Sequence, residues 1–195
     1  MVDTGEDEAK KLYKTYLEFY KKEPNLKRDN IRLLTIEFQS MVYMLHEYNI
    51  ILGDYGFIKY GYRDMNLPMS RNVQSIITGF IAGKDKETFE SYELDSNYKK
   101  IVGIIGEAVM DEIKNEKYPD EKLKDLALIS YFRNHIKPNR TDAEIKKMAY
   151  CSDEEIQSVN NINNKIVNND FYKKIASDNS NYINVKKYTL KINNN

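Results

Sequence analysis

Phe38-Gln-Ser-Met-Val-Tyr-Met-Leu-His-Glu-Tyr48, Leu52-Gly-Asp-Tyr-Gly-Phe-Ile-Lys-Tyr-Gly61, Pro68-Met-Ser-Arg-Asn-Val-Gln-Ser-Ile-Ile77 and Phe89-Glu-Ser-Tyr-Glu-Leu94 follow one another along the chain. The first piece has apolar residues at helical spacing. The second is short, glycine-punctuated and aromatic, which suits a strand. The third opens on a proline, a residue favoured in the first turn of a helix, and continues with a helical period through Phe80. The fourth alternates as a strand does, from Thr88 to Leu94. Helix, strand, helix and strand in that order are the pattern of a winged helix.

Outward from this stretch the chain reads as helical. Upstream, Ala9 to Lys22 places Leu12, Tyr13, Tyr16, Leu17 and Tyr20 on one face, and Glu23-Pro24-Asn25 stops it. Asn30 is a candidate cap for the long helix, whose buried stripe is Ile31, Leu34, Phe38, Met41, Val42 and Leu45. Downstream, Ile101, Ile104, Ile105, Ala108, Val109 and Ile113 line one helix. A second starts at Tyr118-Pro119-Asp120 and buries Leu123, Leu126, Ala127, Ile129 and Phe132. Thr141-Asp-Ala-Glu144 and Ser152-Asp-Glu-Glu155 are capping boxes, in which cap and third helical residue satisfy each other's free amides. The expected fold is mostly α with a small β-hairpin, a winged-helix-like unit followed by a helical subdomain. Its expected divisions are residues 1–29 as an N-terminal helical arm, 30–96 as the winged-helix-like unit, 97–167 as the helical subdomain and 168–195 as a polar C-terminal tail.

Composition narrows the function classes. The 195 residues carry 30 basic and 30 acidic side chains, a formal net charge of +0, with 41% hydrophobic and 31% charged residues. Dedicated nucleic-acid binders show a basic excess because phosphate contacts dominate their affinity. A basic surface on this chain is therefore a local patch. The single cysteine, Cys151, excludes an internal disulfide, and the acidic start Met-Val-Asp-Thr-Gly-Glu-Asp-Glu does not read as a secretory signal; both point to the cytoplasm. The longest apolar run, Ile101 to Met110, is interrupted by Glu107 and is too short to span a bilayer, so no membrane association is expected.

No catalytic, cofactor or metal site is expected. His46 and His135 are the only histidines and neither has a partner at ligand spacing. Cys151 precedes an acidic capping box, and acidic neighbours raise a thiol pKa. Arg133 and His135 are two residues apart, whereas a nuclease helix of the HEPN kind needs four to six. Gly53, Gly56 and Gly61 lack the strand–glycine–helix context and the lysine of a phosphate loop. Glu116, Asp120, Glu121 and Asp125 read as a solvated helix face.

Two features suit a macromolecular partner. Lys59, Arg63, Arg71, Lys84 and Lys86, with Asn72 and Gln74, make a modest basic rim around the helix after Pro68. Thr141 to Lys165 has the spacing of a helix-turn-helix, and Gln157, Asn160, Asn161, Asn163 and Asn164 are amides able to read adenine edges. Against DNA, Asp153, Glu154 and Glu155 stand where such a helix approaches phosphates. Two capped helices packed on a core account for the same letters.

The run from Phe38 to Leu94 resembles the winged-helix core of the Panacea (SocA-like) antitoxin group and the related YwgA-like proteins. Phe57-Ile-Lys-Tyr60-Gly61-Tyr62 is similar to that group's aromatic strand, and Tyr92-Glu-Leu94 to its wing strand. A longer Tyr62–Ser70 segment replaces the group's Gly-Pro-Tyr-Ser element. Leu126–Phe132 and the two capping boxes look like the helical half of the YwgA-like proteins, so the likeness extends over roughly residues 30–167. The resemblance implies a non-enzymatic protein-binding module, antitoxin-like or an adaptor of a mobile genetic element, whose partner is a toxin or host factor. The alternative is a DNA-binding transcriptional regulator using the winged helix or the Thr141–Lys165 pair.

Overall fold

A computed structural model of the protein describes residues 4–48, 50, 58–62, 65–83, 89, 92–136 and 141–177. The described residues are mostly helical. In chain order they form α1 (Thr4–Tyr20), α2 (Ile31–Glu47), β1 (Ile58–Tyr62), β2 (Met65–Met69), α3 (Arg71–Ile81), α4 (Ser96–Ile113), α5 (Pro119–Tyr131), α6 (Asp142–Ala149), α7 (Asp153–Val167) and α8 (Asp170–Ser177). One π-helical turn, Phe132–Ile136, extends α5.

α2 is the central element. Every residue from Leu34 to Leu45 is buried, because α1, α3, α5 and the β2 strand surround it. α1 lies across α2 and α4 through an aromatic layer. Tyr16 stacks on Phe38 with ring centroids 4.6 Å apart, and Tyr13 stacks on Phe89 at 5.5 Å. Phe19 belongs to this layer although the helical-face reading left it out. α4 approaches α1 closely because it has no side chain at Gly106. A Cβ there would stand 2.4 Å from the Phe19 carbonyl oxygen. α7 then packs on α4 and α5, and α8 on α7. The buried cluster draws on residues from Leu12 through Ile175.

The hairpin is placed differently from the sequence expectation. β1 pairs antiparallel with β2 in the register Ile58↔Met69 to Tyr62↔Met65. Met65–Met69 is thus the second strand of the hairpin, and Pro68 is a strand residue. A two-stranded hairpin has only edges, where the missing N–H of proline is tolerated. α3 starts three residues later, at Arg71, after Ser70. Gln39 fixes that junction: its Nε2 donates to the Ser70 carbonyl at 2.9 Å and its Oε1 accepts from the Ser70 N–H at 2.8 Å.

The second strand expected over Thr88–Leu94 is not formed by the described residues there. Phe89 is helical and Tyr92–Leu94 has no regular structure. The segment leads to Asp95, whose carboxylate accepts from the amides of Asn97 and Tyr98 and caps α4. Among the described residues, the order from α2 to α3 is therefore helix, hairpin, helix.

Other expectations need smaller corrections. α1 begins at Thr4, ahead of Ala9. It ends at Tyr20 and is followed by Lys21, a non-glycine residue in the left-handed region (φ 52°). Asn30 occupies the cap position of α2 but its side chain makes no capping bond, and Ile31 is exposed. The stretch read as a polar tail from Asn168 begins with α8. There the Asn169 side chain accepts from the amides of Phe171 and Tyr172, and Tyr172 and Ile175 are buried. Tyr55, Phe57 and Tyr182–Ile192 lie outside the described residues.

Candidate functional site

The proposed basic rim is only partly described. Arg71 and Asn72 are exposed on the first turn of α3. Gln74 sits one turn along and accepts a long bond from the Thr35 hydroxyl (3.5 Å), which ties it to α2. Lys59 lies in β1, opposite Pro68. Arg63, Lys84 and Lys86 lie outside the described residues. The structure thus brings Arg71, Asn72 and Gln74 together on α3.

The segment from Thr141 folds as two helices joined by Tyr150, Cys151 and Ser152. Both capping boxes are formed: Thr141 with Glu144 and Ser152 with Glu155. Tyr150 adopts a left-handed conformation (φ 53°) that turns the chain, and the residue is 93% exposed. Three of the α7 amides, those of Gln157, Asn160 and Asn161, are engaged within the chain, whereas Asn164 is exposed. The Asn160 side-chain Oδ1 accepts from Arg133 Nη1 at 2.7 Å. Gln157 donates to Asn161 at 2.9 Å, and Asn161 donates to Glu112 at 3.4 Å. Lys165 pairs with Glu112 at 3.3 Å and Asp111 at 3.5 Å. At its start, Asp153 pairs with Lys146 at 2.8 Å, and Glu155 lies 3.6 Å from Lys122. Asp153 and Glu154 face solvent. Burial pushes the Cys151 thiol up from its ordinary pKa, and Glu155 adds to the shift. The thiol is held protonated, chiefly by burial and secondarily by the acidic neighbour singled out in the sequence.

A third feature escaped the sequence reading. Glu37 lies on α2 between Ile36 and Phe38, and its side chain is only 7% exposed. Its carboxylate accepts from the Tyr16 hydroxyl and from Lys22 Nζ, both at 2.6 Å, while Tyr20 donates to its backbone carbonyl at 2.7 Å. Burial and then the Glu37 charge push both tyrosine hydroxyls well above their ordinary pKa, so they remain donors. A buried carboxylate persists only with such partners. Beside it is a cavity of about 180 Å³ with Glu37, Lys22 and Asp120 in its lining. Its apolar wall is Tyr20, Leu33, Met110, Ile113, Pro119 and Leu123. The signal in the sequence was a carboxylate inside a run of buried residues, facing two tyrosines four apart on α1. Asp120, read as part of a solvated face, instead contributes to this cavity. Asp125 on the same helix is raised above the ordinary carboxylate pKa, first by burial.

Among the described residues, no group of three or more His, Cys, Asp and Glu side chains is arranged to hold a metal ion. No described helix is long and apolar enough to cross a membrane. No family model, curated protein or solved structure matches the chain.

Proposed function

We propose that the protein is a non-enzymatic, cytoplasmic protein-binding module, antitoxin-like or an adaptor of a mobile genetic element, that captures a toxin or host factor. The observation that carries this reading is the state of α7. Asp153 and Glu154 present exposed carboxylates at the end of the helix that a duplex would approach. The amides of Gln157, Asn160 and Asn161 are bonded within the chain. A reading helix needs free amides in the groove and neutral or basic residues against phosphate. An acidic helix start flanked by the exposed Tyr150 ring suits a basic protein surface, where aromatic residues and complementary charge give specificity.

The alternative is a DNA-binding regulator. What favours it is the α6–turn–α7 geometry, a short helix and a longer one joined by a three-residue turn, together with Arg71 exposed on α3.

One experiment weighs the two. The full chain and its Asp153→Lys/Glu154→Lys variant are used as bait against the proteome of the source cell. The protein-binding reading expects one polypeptide held by the parent chain and lost from the variant while the melting curve is kept. Equal capture by both, or tighter binding of the parent to duplex than to protein, removes this reading.

A further inference from the structure

The Glu37 cavity goes beyond the α7 surface and needs neither that surface nor its partner. Three observations bear on it. The cavity is open to solvent on one side and has room for about 180 Å³, enough for a small alkyl group. Its wall is apolar along Leu33, Met110, Ile113 and Leu123, while Glu37 and Asp120 supply two carboxylates. The cation paired with Glu37 is Lys22, whose side chain is 53% exposed. Lys22 stands in the bend after the left-handed Lys21, outside α1, so its withdrawal breaks no helical bond.

A buried carboxylate whose resident cation comes from a half-exposed side chain is an exchangeable ion pair. The Tyr16 hydroxyl stays on the other carboxylate oxygen when the lysine leaves. A ligand whose head matches the ammonium and whose stem lies along the apolar wall gains burial that Lys22, with half its surface in water, does not obtain. The lining carries Lys22 against Glu37 and Asp120. With Lys22 withdrawn, the lining keeps two carboxyl groups and no basic side chain, which favours a cationic ligand over an anionic one.

We propose that this cavity is a socket for a primary ammonium or guanidinium group on a short alkyl stem, whose head replaces Lys22 at the Glu37 carboxylate. The shared chemistry has two sources, a free aliphatic amine or guanidine and a lysine or arginine side chain of another protein.

The test titrates the full ¹⁵N-labelled chain with n-butylammonium, n-butylguanidinium and, as an uncharged comparator, 1-pentanol. A blocked pentapeptide with one central arginine forms the second arm. The expected result is saturable, roughly millimolar binding of a cationic probe, shifting the amides of Glu37, Ile113 and Leu123, with no saturation by the alcohol. Lys22→Met removes the competing cation, and affinity should rise about fivefold, the factor matching a partly exposed ion pair. Glu37→Gln should abolish binding; should that variant not fold, the rise on Lys22→Met carries the test. Saturation by the small cations alone assigns a free ligand, and saturation by the peptide assigns a side-chain anchor. No saturable binding in either arm, or binding unchanged by Lys22→Met, overturns the proposal.

Discussion

α2 and α6 are opposite kinds of helix. α2 buries every residue from Leu34 to Leu45, whereas α6 buries only Ile145. The N-cap side chain of α2 makes no capping bond, and α6 is closed at its start by a complete capping box. α2 exists because other elements surround it. α6 exists because its own first turn is satisfied locally and Tyr150 turns the chain away at its end. The difference separates a helix held by tertiary packing from one held by its own ends. Tertiary packing holds the α1–α2–α4 body, while the α6–α7 pair is locally specified and keeps its outer surface in solvent. Isolated short helices are marginal, so α6 depends on its caps far more than α2 does.

This contrast can be broken by substitution. Phe38→Ala removes a fully buried ring stacked on Tyr16 and should cost about 3–5 kcal/mol in urea unfolding. A parent-like midpoint would show that the aromatic layer does not hold the body together. Gly106→Ala puts a Cβ against the Phe19 backbone, which must move; a loss of about 1–3 kcal/mol is expected, measured by thermal melting. An unchanged melt would mean that α4 and α1 do not sit this close. At the other end of the molecule, Ser152→Ala should cost about 1 kcal/mol, the usual value of an N-cap, with faster amide exchange confined to α7. Exchange that rises equally in α2 would remove the distinction between the two regions.

The smallest effect concerns pH. The Asp125 carboxyl is raised above its ordinary pKa, chiefly by burial. Folding therefore favours its protonated form, and its unfavourable contribution develops as pH rises from the unfolded value through the folded one. Asp125→Asn should raise the melting temperature slightly at pH 7 and leave it unchanged near pH 3. A gain of equal size at both values would assign the effect to something other than charge.

The same contrast explains what the sequence made legible. The capping boxes at Thr141 and Ser152 follow from letters three residues apart, and both formed as read. The stripes of α2, α4 and α5 follow from helical spacing, and most of their positions are buried. The hairpin partner of β1 did not follow, because Pro68 suits a helix start as well as an edge strand. The choice between them rests on Gln39, thirty-one residues away, which holds the backbone of Ser70. Glu37 was invisible for the same reason. Its role depends on Tyr16 and Lys22, brought to it from α1 and the following bend. α8 was missed although Asn169 and Asp170 form a cap signal, since the asparagine-rich segment around it reads as polar throughout.

The central claim, that this chain meets a protein and not a duplex, is tested most directly by fluorescence anisotropy of labelled duplex from the chain's own promoter, at low and at physiological salt. The account predicts no binding at physiological salt, and no effect of Arg71→Ala on whatever weak binding remains at low salt. Submicromolar binding that weakens steeply with salt, and that Arg71→Ala lowers for all sequences alike, would contradict it.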